Sequence, residues 1–449
     1  MQGCGFHIAR SNKLPLALLA LICVSLFLCP WEKAPLMSSL LPSFEQFSIL
    51  TPVTDVPTRT SSSADKKSSR DSIGSSSSKE MEHVPIFLAN DSLASDSALK
   101  EANVEGKECN FAKGRWVADS TRPLYSGSAC KQWLSPMWAC RLMKRPDFSY
   151  EGFRWQPQGC KVPEFSRSSF LSRMHNKTIA LIGDSLGRQQ FQSLMCMVTG
   201  GELSPEVEDV GIDYGLVKAP GALRPDGWVY RFPSTNTTIL FYWSASLCEL
   251  EPLNTSGPST HYALHLDRPV TFLKQHLPRF DVLVLNTGHH WNRDKFRGNQ
   301  WELYAGGKPV VDGEELADLR NAKNFTLHSI ARWVDLQIKR RPQLKAFLRT
   351  ISPRHFVNGD WNTGGSCNNT VPLAGGSEVS QDGSTDPIPE AAVKGTRVKL
   401  LDITSLSQLR DEGHVSKYTV KAILGVHDCL HWCLPGIPDA WNEILCAQL

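Results

Sequence analysis

The 449-residue chain has little excess charge: 48 Lys and Arg stand against 45 Asp and Glu, a net charge of +3. Proteins that hold nucleic acid present a basic face or tail, so no nucleic-acid partner is expected. It also lacks a glycine-rich loop of the kind that cradles nucleotide or coenzyme A phosphates, so no bound cofactor is expected. No internal repeat is visible, which argues against solenoids and propellers. Long apolar runs are scarce, and the exception is residues 14–29, LPLALLALICVSLFLC. Apolar anchors are nearly missing from residues 61–80, SSSADKKSSRDSIGSSSSKE, where ten of twenty residues are serine. Such a stretch buries too little surface to offset its ordering entropy.

The apolar run has Arg10 and Lys13 before it and Glu32 and Lys33 after it. Basic residues ahead of the run keep the N-terminus cytosolic and send the rest across the membrane. Sixteen residues suit a thin, early-secretory bilayer. The competing reading is a cleaved signal peptide, but Phe27-Leu28-Cys29-Pro30 makes a poor cleavage site. The expected organisation is a cytosolic tail at 1–13, a type II signal anchor at 14–29 and a flexible Ser-rich stem at 30–105. A Cys- and Trp-rich segment at 106–165 and a larger folded domain at 166–449 follow.

Ten cysteines lie beyond the stem, at 109, 130, 140, 160, 196, 248, 367, 429, 433 and 446. An even set in a lumenal domain reads as disulfides. Six Asn-x-Ser/Thr sequons begin at Asn90, Asn176, Asn236, Asn254, Asn324 and Asn368, agreeing with that topology as glycosylation sites.

Runs at 178–183, 237–243, 281–287, 344–351 and 397–402 read as buried strands. Helical patterns at 187–199 and about 313–339 lie between them, the second burying Leu316, Leu319, Ile330, Trp333, Val334 and Ile338. Strands alternating with helices predict an α/β fold with a central, mostly parallel sheet covered on both faces. Ligands in such folds sit at the carboxyl ends of strands. Residues 106–165 show little periodicity and read as a disulfide-held segment packed on the sheet domain. Residues 203–235 and 362–390 read as long loops.

At the end of the first strand the chain runs TIALIGDSLGRQQFQSL, residues 178–194. Ser185 at this strand-to-helix corner is either a helix N-cap or a nucleophile raised above a sheet. A serine nucleophile needs a base and a carboxylate that orients it. Residues 427–438, HDCLHWCLPGIP, place Asp428 three residues before His431, a spacing that puts both on one side of a turn. His355 is the second candidate base. A metal reading also exists, because Cys429, His431 and Cys433 place three soft ligands close together, but no metal is expected in an oxidising lumen. The backbone amide near Ser185, Asn286 at the end of the third strand and Arg188 on the first helical turn are candidate oxyanion donors. His289 and His290 lie at a strand end without metal spacing. Trp291, Trp361, Trp432 and Trp441 are candidates to line a sugar groove, with core packing as the commoner fate of tryptophan.

The segments GDSLGRQQ (183–190), DCLHWCLPGIPDAWNEIL (428–445), RTISPRHFVNGDWNTGGSC (349–367) and CNFAKGRWVAD (109–119) resemble the plant trichome birefringence-like proteins. The resemblance spans about residues 106–449, and the serine corner and Asp-x-x-His are similar to those of SGNH/GDSL esterases. It implies an SGNH/GDSL-hydrolase-like three-layer sandwich in a Golgi type II membrane protein. The implied activity is O-acetylation of cell-wall polysaccharide, xylan first, with mannan, xyloglucan or pectin as alternatives, from an acetyl donor of unnamed identity. It assigns Ser185 as nucleophile, His431 as base and Asp428 as its orienter. Arg188 and Asn286 become oxyanion stabilisers, with Gly183, Asp184, His289, His290, Trp291, Trp361 and Trp432 as further site candidates. It implies the pairs Cys109–Cys160, Cys130–Cys196, Cys140–Cys433 and Cys367–Cys429, and leaves Cys248 and Cys446 as an additional possible pair. Residues 288–291 read Gly-His-His-Trp where many relatives carry Gly-His-Trp-Trp, a departure at the acceptor groove. An esterase with the same triad and a non-catalytic wall- or pectin-binding protein are the two other readings.

Overall fold

The computed structural model describes residues 109–160, 162–254, 260–373, 376–420 and 425–449. The tail 1–13, the anchor 14–29, the stem 30–105 and the sequon at Asn90 lie outside the described residues.

The five apolar runs form the parallel strands of one sheet. Strand β1 (Thr178–Gly183) has β4 (Thr237–Trp243) on one side and β5 (Val282–Leu285) on the other. Strands β6 (Lys345–Arg349) and β7 (Lys399–Leu401) extend it beyond β5. Side chains alternate along β1: Ile179 and Leu181 enter one apolar core, Ala180 and Ile182 a second core on the opposite face. The first core is covered by α1 (Ser185–Thr199) and α3 (Ile437–Ala447), the second by α2 (Leu319–Arg340). Burial on both faces explains why these strands read as continuous apolar runs.

Counted along the chain, the parallel strands lie in space as second, first, third, fourth, fifth. The winding direction therefore reverses between β1 and β5, and the carboxyl ends of these two strands flank the crevice where ligands bind in doubly wound sheets. Asp184-Ser185 follows the first and Asn286 the second.

Several expectations are corrected. The central sheet is mostly parallel as expected but mixed at one edge, because 203–235 is not one loop: β2 (Glu208–Asp209) and β3 (Gly227–Phe232) add two antiparallel strands beyond β4. A second, four-stranded sheet is built from 248–252, 262–269, 301–305 and 308–309. Residues 109–160 are largely turns, as expected, but they hold one regular strand pair. Gly114–Ala118 pairs with Phe153–Pro157, joining Trp116 to Trp155 edge to face. The presumed loop at 362–390 supplies Glu378–Val379 to that small sheet and a helix at Pro387–Val393. Helix α2 starts after Asp318, whose carboxylate caps the Arg320 and Asn321 amides, and not at Gly313. Leu316, Leu319 and Trp333 pack at its margin, while Ile330, Val334 and Ile338 are buried as expected.

Four disulfides join Cys109 to Cys160, Cys130 to Cys196, Cys140 to Cys433 and Cys367 to Cys429. The second and third tie residues 109–160 to the sheet domain. Cys248 and Cys446 do not pair: both are free, and the Cys248 thiol is buried beside Thr326. The sequon asparagines Asn176, Asn236, Asn254, Asn324 and Asn368 are all exposed.

Candidate active site

The corner after β1 assigns two neighbouring side chains different tasks. Asp184, not Ser185, is the N-cap of α1: its carboxylate accepts from the Leu186 amide at 3.0 Å. Ser185 is the first helical residue, and its hydroxyl is left to point elsewhere. It lies 2.8 Å from His431 Nε2, across 246 residues of sequence. The cap reading of Ser185 is thereby corrected by one position.

His431 and Asp428 lie on β8 (Asp428–Trp432), a short strand paired with His414–Ser416. Asp428 accepts from the backbone amides of His431 and Leu430 at 2.9 and 3.2 Å, and His431 Nδ1 lies 3.0 Å from its Oδ2. Burial pushes the Asp428 carboxyl up, but the charge of His431 and these hydrogen bonds overcome it and hold the group at about 2. The carboxylate is then an acceptor only, so His431 Nδ1 carries the proton and donates it. That tautomer leaves Nε2 as an acceptor for the Ser185 hydroxyl. Both residues are almost wholly buried, and only the serine end of the chain is partly open.

Bridges at Cys429 and Cys433 pin β8 on either side of His431. The bridge from Cys433 to Cys140 also brings in Trp138, whose ring stacks on His431 with centroids 5.4 Å apart. In the sequence Trp138 is one tryptophan of the Cys- and Trp-rich segment at 106–165, with nothing beside it that marks a site. Its one signal lies in the pairing: it stands two residues before Cys140, whose partner stands two residues after His431.

Asn286 is wedged into the serine corner. A Cβ on Gly183 would come within 1.9 Å of Asn286 Oδ1, and one on Gly187 within 2.2 Å. Both glycines are thus needed for this close approach. Asn286 Nδ2 donates to Asp184 Oδ1 at 2.6 Å. The Leu186 amide is committed to the same oxygen, which removes it from the set of oxyanion donors. Asn286 retains a second Nδ2–H. Arg188 is buried with its guanidinium 4.7 Å from the Trp138 ring and 5.9 Å from that of Trp228, so it is not a solvated arginine. His289 bonds the Ser352 carbonyl, and His290 packs edge-on against Trp243. Burial lowers both imidazoles to about 4, and both feel the charges of Asp184 and His431.

Other candidates are placed elsewhere. Trp432 is buried, stacked on His414 and bonded to Ser352 Oγ, and Trp441 is buried with its indole N–H on Ser407 Oγ. Neither can face a sugar. Trp291 is half-buried against Phe296 with its N–H on Thr287, and Trp361 is exposed on the loop after Asp360. His355 Nδ1 lies 2.7 Å from His414 Nε2, which removes it as the alternative base. Cys429 and Cys433 are in disulfides, so the metal reading loses two of its three ligands. Besides Trp138, sequence reasoning missed Trp243, half-buried beside Gly183 in the sheet register, with Arg224 lying 5.5 Å from its ring.

Residues 162–448 match the GDSL/SGNH-like acyl-esterase family found in Pmr5 and Cas1p, and residues 107–161 match the PMR5 N-terminal domain. Trichome birefringence-like 14 of Arabidopsis thaliana is 64% identical over 353 residues, covering 76% of this chain and 86% of the relative. Trichome birefringence-like 15 of the same plant is 58% identical over 355 residues, covering 77% and 72%. Xyloglucan O-acetyltransferase 3 of Populus trichocarpa is 30% identical over 364 residues, covering 77% and 86%. With this identity running through both the N-terminal segment and the domain that holds the serine corner, the chain belongs to the trichome birefringence-like proteins of the GDSL/SGNH-like acyl-esterase family.

Proposed function

We propose that this protein is a cell-wall polysaccharide O-acetyltransferase working through an acetyl group carried on Ser185. The observation that carries the reading is the Ser185, His431, Asp428 chain, with contacts of 2.8 and 3.0 Å. The names of two Populus trichocarpa relatives, xyloglucan O-acetyltransferases 1 and 3 at 32% and 30% identity, support the same chemistry.

In the proposed first half-reaction Ser185 Oγ attacks the acetyl carbonyl of the donor. Its proton passes to His431 Nε2, the imidazolium is stabilised by Asp428, and the donor's leaving group takes the proton away. In the second half a sugar hydroxyl gives its proton to His431 and attacks the acetyl carbon, and the proton returns to Ser185 as the ester bond breaks. The second Nδ2–H of Asn286 and the Arg188 guanidinium are the proposed stabilisers of the oxyanion. Xylan and xyloglucan are the acceptors we place first, and the run 14–29 is the proposed Golgi membrane anchor.

An acetyl esterase shares every step up to the acetyl-enzyme and differs in letting water resolve it. The family description, an acyl-esterase, favours keeping this second reading. The test uses the full chain, wild type and Ser185→Ala, with isotopically labelled acetyl donors and a panel of deacetylated wall oligosaccharides. Mass spectrometry follows the label. Serine-dependent label on one glycan supports transfer and names the acceptor, and serine-dependent free acetate with every glycan supports the esterase. Equal behaviour of the two proteins refutes both and leaves a wall-binding protein.

A further inference from the structure

The GDSLGRQQ segment contains two glutamines that the proposed chemistry does not use. Both are fully buried in the middle of α1. A buried amide is tolerated where both its donor and its acceptor find partners. Gln189 achieves this on a single residue: its Nε2 donates to the Trp432 carbonyl at 2.5 Å, and its Oε1 accepts from the Trp432 amide at 3.1 Å. The side chain therefore grips both backbone groups of the residue that follows His431.

Gln189 is four residues after Ser185 and so lies on the same side of α1, one turn along. Ser185 and His431 come from segments far apart in sequence, and their 2.8 Å contact requires α1 and β8 to keep one mutual position. Other bonds to α1 go elsewhere: Arg349 at the end of β6 donates to the Leu186 carbonyl at 3.1 Å and to Gln190 Oε1 at 2.9 Å, the Ser135 amide donates to Gln192 Oε1, and on α3 Asn442 Nδ2 donates to the Gln190 carbonyl while Asp439 accepts from Ser193 Oγ at 2.5 Å. The Gln189 bonds alone among these reach β8 itself, next to the base.

We propose that Gln189 is a positioning residue that sets the Ser185–His431 distance by clamping Trp432 to the nucleophile helix. The inference rests on the acyl-transfer reading above. Its test separates a clamp from a side chain that merely fills the core.

The full chain is acylated with p-nitrophenyl acetate, and the rate of p-nitrophenol release is followed for wild type, Ser185→Ala, Gln189→Met and Gln189→Glu. Methionine keeps the length of the side chain and loses both hydrogen bonds. It should lower the acylation rate by about 10²-fold, the scale of a misplacement near 1 Å, with KM nearly unchanged and near-UV circular dichroism retained. The glutamate variant gives a readout that core filling would not move. Protonated, its carboxyl donates to the Trp432 carbonyl and accepts from the amide, restoring the clamp; ionised, it faces that carbonyl with another acceptor. Its rate relative to wild type should therefore rise as pH falls.

Loss of acylation in Ser185→Ala with wild-type rates in Gln189→Met overturns the clamp and leaves acyl transfer standing. Unchanged acylation in Ser185→Ala overturns the acyl-transfer reading, and the clamp with it. If Gln189→Met fails to fold, the glutamate series decides: a ratio to wild type that is flat with pH overturns the proposal.

Discussion

The sharpest prediction concerns Asp428→Asn. The substitution preserves size and removes one charge, yet the surroundings give the amide no satisfactory orientation. The carboxylate accepts from the His431 and Leu430 amides through Oδ1 and faces His431 Nδ1 through Oδ2. If the new carbonyl takes the two backbone amides, its NH2 faces Nδ1. The imidazole proton must then move to Nε2, where it confronts Ser185 and cannot accept the hydroxyl proton. If the amide is reversed, its NH2 is directed at two N–H donors. Either arrangement should lower the acylation rate by about 10⁴-fold, the scale known for the wrong tautomer in serine triads. A stability effect accompanies it. Asp428 moves from an ordinary 3.8 to about 2, which corresponds to about 2 kcal/mol favouring the folded ionised form. The sign follows from the depressed value: this contribution is complete above the ordinary carboxylate pKa and is lost as pH falls through about 2. Burst kinetics with p-nitrophenyl acetate measure the first effect, and urea unfolding at neutral pH the second. An Asp428→Asn protein that keeps more than about a tenth of wild-type acylation would refute the orienting role, because no partial loss of that size follows from a reversed tautomer.

Gly187→Ala should drive a methyl group into Asn286 Oδ1, 2.2 Å away, releasing Asn286 from Asp184. A destabilisation of about 1–3 kcal/mol by denaturant unfolding, with slowed acylation, is expected. Graded reduction should abolish acylation before near-UV dichroism collapses, because the bridges at Cys429 and Cys433 hold the strand that carries His431. Simultaneous loss of both signals would contradict that order. Burial holds His289 and His290 at about 4 and lowers His355 and His414 below the ordinary histidine range. Below about pH 6.5 the unfolded chain takes up protons that these histidines refuse in the fold, so they contribute a loss of stability from pH 7 to pH 5, opposed by the buried Asp439 carboxyl, which burial raises to about 7; in urea titrations His414→Gln should therefore make stability fall less, or rise more, over that window.

The parallel core was legible because its strands are buried on both faces. Runs such as 178–183 and 237–243 are then continuously apolar and carry their own signal. The serine corner and the Asp-x-x-His were legible because each is a local pattern. The antiparallel additions were not: β3 alternates buried and half-buried residues between loop-like flanks, and Glu208–Asp209 is too short to announce itself. The tryptophans were legible only as tryptophans. Trp432 and Trp441 entered the core, while Trp138 and Trp243 came to the site, because side-chain exposure depends on what lies across the gap and not on the residue itself.

By itself, then, the sequence determined the strand and helix periods, the residue types able to carry a proton relay and the count of thiols available for crosslinking. Each depends on the spacing of neighbours along the chain. Tertiary structure alone decided that Asp184 caps and Ser185 does not, that Asn286 sits between Gly183 and Gly187, and that Gln189 grips Trp432. These are contacts between segments about a hundred or more residues apart in most cases. They exist because the sheet order places the ends of β1 and β5 side by side and because closing the chain brings β8 over α1.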